Sequence, residues 1–220
     1  MYAAEHYGVQ ATGITISQPQ AELANQRIDE MGLSESCCVL VQDYREVKSP
    51  PGGYDALVSV GMFEHVGEKM LPTYFLQAWN LLLPGGVFLN HGITRRYSRS
   101  PRRERSFSEA YVFPDGELSP ISVSLSAAEK VGFEVRDVES LREHYALTLR
   151  AWVRRLEARH VDALQYVDEA TYRVWRLFMS GSAYGFSSGR LNVHQALLVR
   201  PTPNGKIGLP LTRADWYTAG

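Results

Sequence analysis

Apolar and polar residues alternate over residues 8–16, GVQATGITI, in the manner of a β-strand, after a short helical stretch, YAAEHY. Residues 18–32 place Ala21, Ala24, Ile28 and Met31 on one stripe of a helix that Gly32 stops. A short apolar strand, CVLVQ at 38–42, comes next. Past the turn SPPGG at 49–53, the run YDALVSVG is almost continuously apolar, which predicts a strand buried on both faces. A helix over about 68–83 carries Tyr74, Phe75, Ala78, Leu81 and Leu82 on its core face; LPGG at 83–86 ends it, and VFLNHGIT at 87–94 is a strand. Beyond a polar segment at 95–120 the pattern gives a helix at 121–131 and a strand at 133–140. Two further helices carry the stripes Tyr145, Leu149, Trp152, Leu156 and Val174, Leu177, Phe178, Gly181. A last strand lies near 191–200, and 201–220 reads as a tail.

Strands alternating with helices at this pitch predict an α/β fold with a largely parallel sheet. Ligands of such sheets bind beyond the carboxyl ends of the strands, which directs attention to the residues just after 16, 42, 60 and 90. At 220 residues, 45% hydrophobic and 21% charged, the chain has the composition of one soluble domain, spanning 1–200, with a lid-like insert at 95–120. The net charge of −1 provides no global field for nucleic acid or a membrane. Basic charge is concentrated locally, because Arg95, Arg96, Arg99, Arg102, Arg103 and Arg105 fall within the insert. Cys37 and Cys38 are adjacent, which suits neither a disulfide framework nor the spacing of a zinc site, so no metal is expected. No apolar run reaches the ~18 residues of a membrane span. The opening residues lack the basic and apolar regions of a secretory signal, and the expected location is the cytoplasm.

The polar residues at strand ends are the candidates for chemistry. Thr15 and Gln20 flank the first strand's end, where neutral hydrogen bonds would replace the usual ribose-binding carboxylate. Asp43 and Tyr44 follow the second strand and offer a carboxylate and an aromatic face; surface chemistry alone also accounts for such a pair. MFEHVG at 62–67 puts Glu64 and His65 at the mouth of the sheet, suited to acid–base work, to holding a polar ligand, or to capping the next helix. His91 lies inside an otherwise apolar strand, as a ligand or as a satisfied core residue, and Tyr145 heads a helix.

Taken in order, YDALVSVGMFEHVG, LLLPGGVFLNHGIT, FPDGELSP and VESLREHYALTLRAW resemble the cyclopropane-fatty-acyl-phospholipid synthase and mycolic acid cyclopropane synthase family, over residues 2–200. The resemblance implies a Rossmann-like class I methyltransferase sheet that uses S-adenosylmethionine and bicarbonate. The family's bicarbonate-binding positions correspond to Glu64, His91, Ile93 and Tyr145, of which Glu64, His91 and Tyr145 are the implied catalytic residues. Thr15, Gln20, Asp43 and Tyr44 correspond to positions lining the cofactor pocket. The implied reaction is attack of a cis alkene in an unsaturated phospholipid acyl chain on the cofactor methyl, followed by proton loss to bicarbonate and ring closure. Proton loss to a methylene, and later reduction to a methyl branch, are open to the same scaffold. The insert's arginines then suit contact with an anionic membrane. The family's first strand, its GxGxG loop and its bicarbonate-binding cysteine have no counterpart in these 220 residues, so the chain is expected to be an N-terminally truncated member, of doubtful activity in isolation. A related methyltransferase acting on a natural-product acceptor, or a non-catalytic fragment, are the alternatives.

Overall fold

The computed structural model describes residues 1–98 and 105–217, so Arg99, Arg102 and Arg103 lie outside the described residues. The chain divides into two compact units, Met1–Pro50 and the remainder from Pro51.

In the first unit, helix α1 (Tyr2–Tyr7) ends on Gly8 in the left-handed conformation, a turn that glycine adopts without a Cβ penalty. Strand β1 (Ala11–Thr15) pairs in parallel with β2 (Cys37–Val41), and helix α2 (Gln18–Glu30) makes the crossover between them. Ala4, Ile28 and Cys37 form the core, with Ala11, Leu33 and Val39 against it. The Asn25 side chain ties α2 to β2, donating to the Val39 carbonyl at 2.8 Å and accepting from the Val39 N–H at 2.9 Å. Cys37 is a buried core residue and Cys38 an exposed one, and both are free thiols.

The second unit is a four-stranded sheet in the order β3 (Tyr54–Val60), β4 (Leu82–Arg95), β6 (Leu191–Val199), β5 (Glu134–Ser140). β3 and β4 are parallel, but β6 runs antiparallel to both β4 and β5. The sheet is therefore mixed, where alternation along the chain had suggested a largely parallel one: the last strand enters the middle of the sheet reversed. A second correction concerns β3. It is an edge strand, and Val58 and Val60 are 67% and 64% exposed, so its apolar run does not mark burial on both faces.

Helices α3 (Leu71–Leu81) and α5 (Ile121–Val131) cover one face, over an aromatic core in which Phe75, Phe88 and Phe133 meet at ring separations of 6.1–6.4 Å. Helices α6 (Arg142–Ala158) and α8 (Glu169–Ser187) cover the other through Ala146, Leu149, Ala183 and Phe186, packed on Val193. Short helices α4 (Phe107–Tyr111) and α7 (His160–Ala163) join the longer elements, α4 lying within the insert. The segment after β6 returns to the sheet: Arg213 pairs with Asp137 of β5 at 2.5 Å, and Leu209 and Trp216 line a small cavity with Leu89 and Leu197. Among the described residues no helix is long and apolar enough to cross a membrane.

Candidate active site

Glu64, His91, Ile93 and Tyr145 come together at the carboxyl end of β4, and the glycine in NHGIT is what admits them. A Cβ on Gly92 would lie 2.7 Å from Phe63 Cδ1, far inside van der Waals contact. Without one, the Phe63 ring lies directly on β4, and the 3₁₀ turn Phe63–His65 carries Glu64 to the strand. There Glu64 Oε1 accepts the Ile93 N–H at 2.6 Å. The turn is held from outside by the insert: the Glu117 N–H donates to the Glu64 carbonyl at 2.9 Å, and the Glu117 carboxylate accepts the Glu68 N–H at 3.2 Å.

Glu64 is only 7% exposed, and its Oε2 is buried with no hydrogen-bond partner among the described residues. A buried carboxylate oxygen left in this state costs on the order of 1–3 kcal/mol, which a proton-donating ligand would recover.

His91 faces Tyr145 on the α6 side of the sheet, with its Nε2 3.2 Å from the phenol oxygen. Its other ring nitrogen, Nδ1, is 3.1 Å from the Gln195 amide nitrogen, across the His91–Gln195 pair of the β4–β6 ladder. An amide N–H donating to Nδ1 makes that nitrogen an acceptor, so the neutral imidazole carries its proton on Nε2 and donates to Tyr145. The phenol proton is then left for another acceptor. Burial pushes the Tyr145 phenol above its ordinary value, and the nearby Glu64 carboxylate adds to the effect, so the group stays a donor at neutral pH. The ring is backed by Phe186 at 5.3 Å. The arrangement presents one buried acceptor and one phenolic donor, which suits a small oxyanion that itself bears a proton.

The second set belongs to the first unit. Thr15 Oγ donates to Gln20 Oε1 at 2.8 Å and accepts the Ser17 N–H at 3.1 Å, so the Gln20 amide N–H groups remain as donors at the end of β1. On the neighbouring strand end, Asp43 Oδ1 accepts from the backbone N–H and Nε of Arg45, and Oδ2 from Nη2 at 2.5 Å. These bonds to Arg45 hold the Asp43 carboxyl down at about 2. With about four lone-pair sites on a carboxylate, Asp43 keeps acceptor capacity for a hydroxyl or an amine. Burial raises the Tyr44 phenol. Donors on Gln20 and an acceptor on Asp43, at adjacent strand ends, fit the ribose and adenine of a nucleoside cofactor. Gln195 and Glu117, which hold the site in the second unit, escape a reading of local strings. Among the described residues no group of His, Cys, Asp and Glu could hold a metal ion.

The model of the family described as mycolic acid cyclopropane synthetase matches residues 1–196. A probable fatty acid methyltransferase of Pseudomonas putida is 41% identical over 219 residues, 98% of this chain and 55% of that protein. The probable fatty acid methyltransferase Rv3720 of Mycobacterium tuberculosis is 39% identical over 210 residues, 96% of this chain and 48% of that protein. The crystal structure of mycolic acid cyclopropane synthase CmaA1 complexed with SAH and CTAB superposes with a TM-score of 0.83 at 31% identity, over 90% of this chain and 72% of that one. The chain thus spans about half the length of the curated relatives it matches.

Proposed function

The chain belongs to the mycolic acid cyclopropane synthetase family of S-adenosylmethionine-dependent methyltransferases, and from that premise we propose that it serves in methyl transfer to the double bond of an unsaturated fatty acyl chain, with bicarbonate held at the Glu64, His91, Ile93 and Tyr145 cluster, directly by Glu64 and Tyr145 and through them by Ile93 and His91. The observation that carries this reading is the buried Glu64 Oε2, without a hydrogen-bond partner among the described residues, near the His91–Tyr145 pair. Bound S-adenosylmethionine supplies an electrophilic methyl group and bound bicarbonate a proton acceptor.

What the chain itself does is positional and electrostatic. Glu64 Oε2 accepts the hydroxyl proton of the anion, while the Ile93 N–H fixes the carboxylate through Oε1. Tyr145 donates to the anion's charged oxygen, its own orientation set by His91, whose tautomer Gln195 selects. The aromatic face of Tyr145, its ring backed by the buried Phe186, shields positive charge developing on the acceptor from water. Thr15, Gln20, Asp43 and Tyr44 bind the cofactor's nucleoside part. One methyl gained and one proton lost leave the acceptor with a bridging or exocyclic CH2. Contact with an anionic membrane through the arginine-bearing insert belongs to the same reading.

The test is transfer of isotopic label from the methyl of S-adenosylmethionine to vesicles of cis-monounsaturated phospholipid, with products separated as ring, methylene or methyl branch by mass spectrometry. Label in the acyl chain, at a rate that falls in bicarbonate-free buffer and recovers on its addition, is expected. A polypeptide that binds S-adenosylmethionine yet labels only water-soluble acceptors contradicts the reading.

A further inference from the structure

Past the Glu64–His91–Tyr145 cluster, β4 runs on into a second feature of the same unit. An open cleft of about 550 Å³ is bounded by the end of β4, the start of α5, the start of α6 and the turn between α8 and β6. Its polar lining includes Arg95, Arg96, Arg142, Ser122, Asn192 and His194, and no Asp or Glu is among the lining residues. In a chain of net charge −1, three guanidinium groups around one concavity without a lining carboxylate create a local positive potential.

The three arginines are engaged to different degrees. Arg142 donates to the Phe186 and Ser187 carbonyls at 2.7 and 3.1 Å and also pairs with Glu143, so its charge is anchored beside the cleft while much of its donor capacity is used. Arg95 donates through Nε to the Leu118 carbonyl at 2.8 Å and through Nη1 to the Arg96 carbonyl at 3.4 Å, which leaves its Nη2 without a bond to the described residues. The Arg96 side chain makes no hydrogen bond or ion pair with the described residues. The N-cap of α5, Pro120, provides no side-chain cap, and Ile121 and Ser122, which begin that helix and carry N–H groups it does not use, line the same concavity. His194 is fixed by the Thr94 hydroxyl, 2.9 Å from its Nδ1. Donors thus converge from four elements, and the Glu143 carboxylate that pairs with Arg142 is not among the lining residues, which leaves the composition of a site for a tetrahedral oxyanion.

We propose that this cleft is a phosphate subsite that holds the headgroup phosphate of a phospholipid acceptor. Thr94 follows Ile93 directly and His91 by three residues, so the cleft adjoins the cluster and begins roughly 10 Å along β4 from His91. One elongated acceptor laid along the strand's end would have its phosphate among the arginines and its chain directed toward Glu64. The identity of the ligand as acceptor rests on the function proposed above; the anion site itself does not.

The experiment is calorimetric titration of the 220-residue chain with glycerol 3-phosphate and, separately, with inorganic phosphate, in the absence of S-adenosylmethionine and at low salt. Saturable binding is expected, weakened about fivefold by Arg96→Gln and by Arg95→Gln, because each loses a charge-assisted contact. Arg96→Gln removes no side-chain bond to the described residues, and an unchanged urea midpoint is its control for an intact fold. Arg154→Gln makes the same charge change on an exposed part of α6 and is expected to leave affinity unchanged. Absence of saturable heat, or equal weakening by Arg154→Gln, overturns the subsite. Phosphatidylglycerol vesicles that displace glycerol 3-phosphate support the lipid source; vesicles that fail to displace it, with the two soluble ligands bound equally, overturn that source. A chain that binds phosphate but never transfers methyl keeps the cleft and loses the proposed reaction, and an active enzyme with no phosphate binding does the reverse.

Discussion

Asp43 and Glu64 both follow a strand, and their surroundings are opposite. Asp43 is partly exposed, and Arg45, two residues away, supplies three hydrogen bonds that hold its charge in place. Glu64 is buried, takes one backbone N–H, and keeps its second oxygen without a partner among the described residues. A charge in water is easily neutralised locally, and little is gained by it. A buried charge that its own chain leaves half satisfied is costly, and the fold bears this cost through Phe63, Gly92 and Glu117, which bring the carboxylate inward and keep it there. Under the proposed function, the difference separates a carboxylate that helps to bind from one placed to act.

The largest expected effect therefore belongs to Glu64. Glu64→Gln retains an acceptor for the Ile93 N–H but cannot accept a proton at the second position, and methyl transfer should fall roughly 100-fold or more. Cofactor affinity, measured by titration, should not change. If Glu64→Gln costs no more turnover than Asp43→Asn, the contrast between the two carboxylates is wrong. Next in size is Gly92→Ala, which forces a methyl against the Phe63 ring. Overpacking of this kind costs about 1–3 kcal/mol, measurable as a lower urea midpoint, and turnover should fall with it because Glu64 moves with Phe63. A midpoint like that of the parent would show that Phe63 relaxes freely and does not position Glu64.

A smaller effect is expected at Gln195. Gln195→Leu leaves His91 Nδ1 without its donor, so both neutral tautomers become accessible and Tyr145 loses its fixed partner. The expected loss is about tenfold in kcat at unchanged KM, in keeping with the effect of partners that orient functional histidines. The imidazole nitrogen shifts of His91 should report the tautomer change directly, and an unchanged spectrum would remove Gln195 from the mechanism.

Gln195 also shows where sequence stops being informative. Glu64, His91 and Tyr145 could be picked out because each stands in a string with chemical character of its own. Gln195 is 104 residues from His91 and acquires meaning only when β6 inserts antiparallel beside β4, an event that no local pattern encodes. The same insertion is why a chain of alternating strands and helices gives a mixed sheet. The elements themselves were legible from periodicity, with β1, α2, β2 and α5 within a few residues of their expected places, although β4 starts at Leu82 and takes in the LPGG expected to end the helix before it. Exposure was not: β3 is as apolar as a central strand, yet Val58 and Val60 are 67% and 64% exposed, and among the described residues it pairs with β4 alone. In the first unit, the character of Asp43 depends on Arg45, which the sequence puts in plain view but whose side-chain direction it does not give.

The smallest effect, and the one that closes the contrast, is the pH response of Asp43. Its carboxyl is lowered from an ordinary 3.8 to about 2, with the hydrogen bonds from Arg45 as the largest cause. A group whose folded pKa lies below its unfolded value contributes stability that is fully present above the unfolded value and is lost as pH falls through the folded one. The Asp43–Arg45 contribution should accordingly be complete above about pH 4–5 and decline toward pH 2. The pair is open to solvent, so the contribution is small and screened by salt. In chemical denaturation across this range, Asp43→Asn should be slightly less stable than the parent at pH 6, with the gap narrowing toward pH 2 and shrinking in high salt. A gap that stays constant with pH would mean that Asp43 acts through its shape and neutral hydrogen bonds, and the distinction drawn between the exposed and the buried carboxylate would then rest on Glu64 alone.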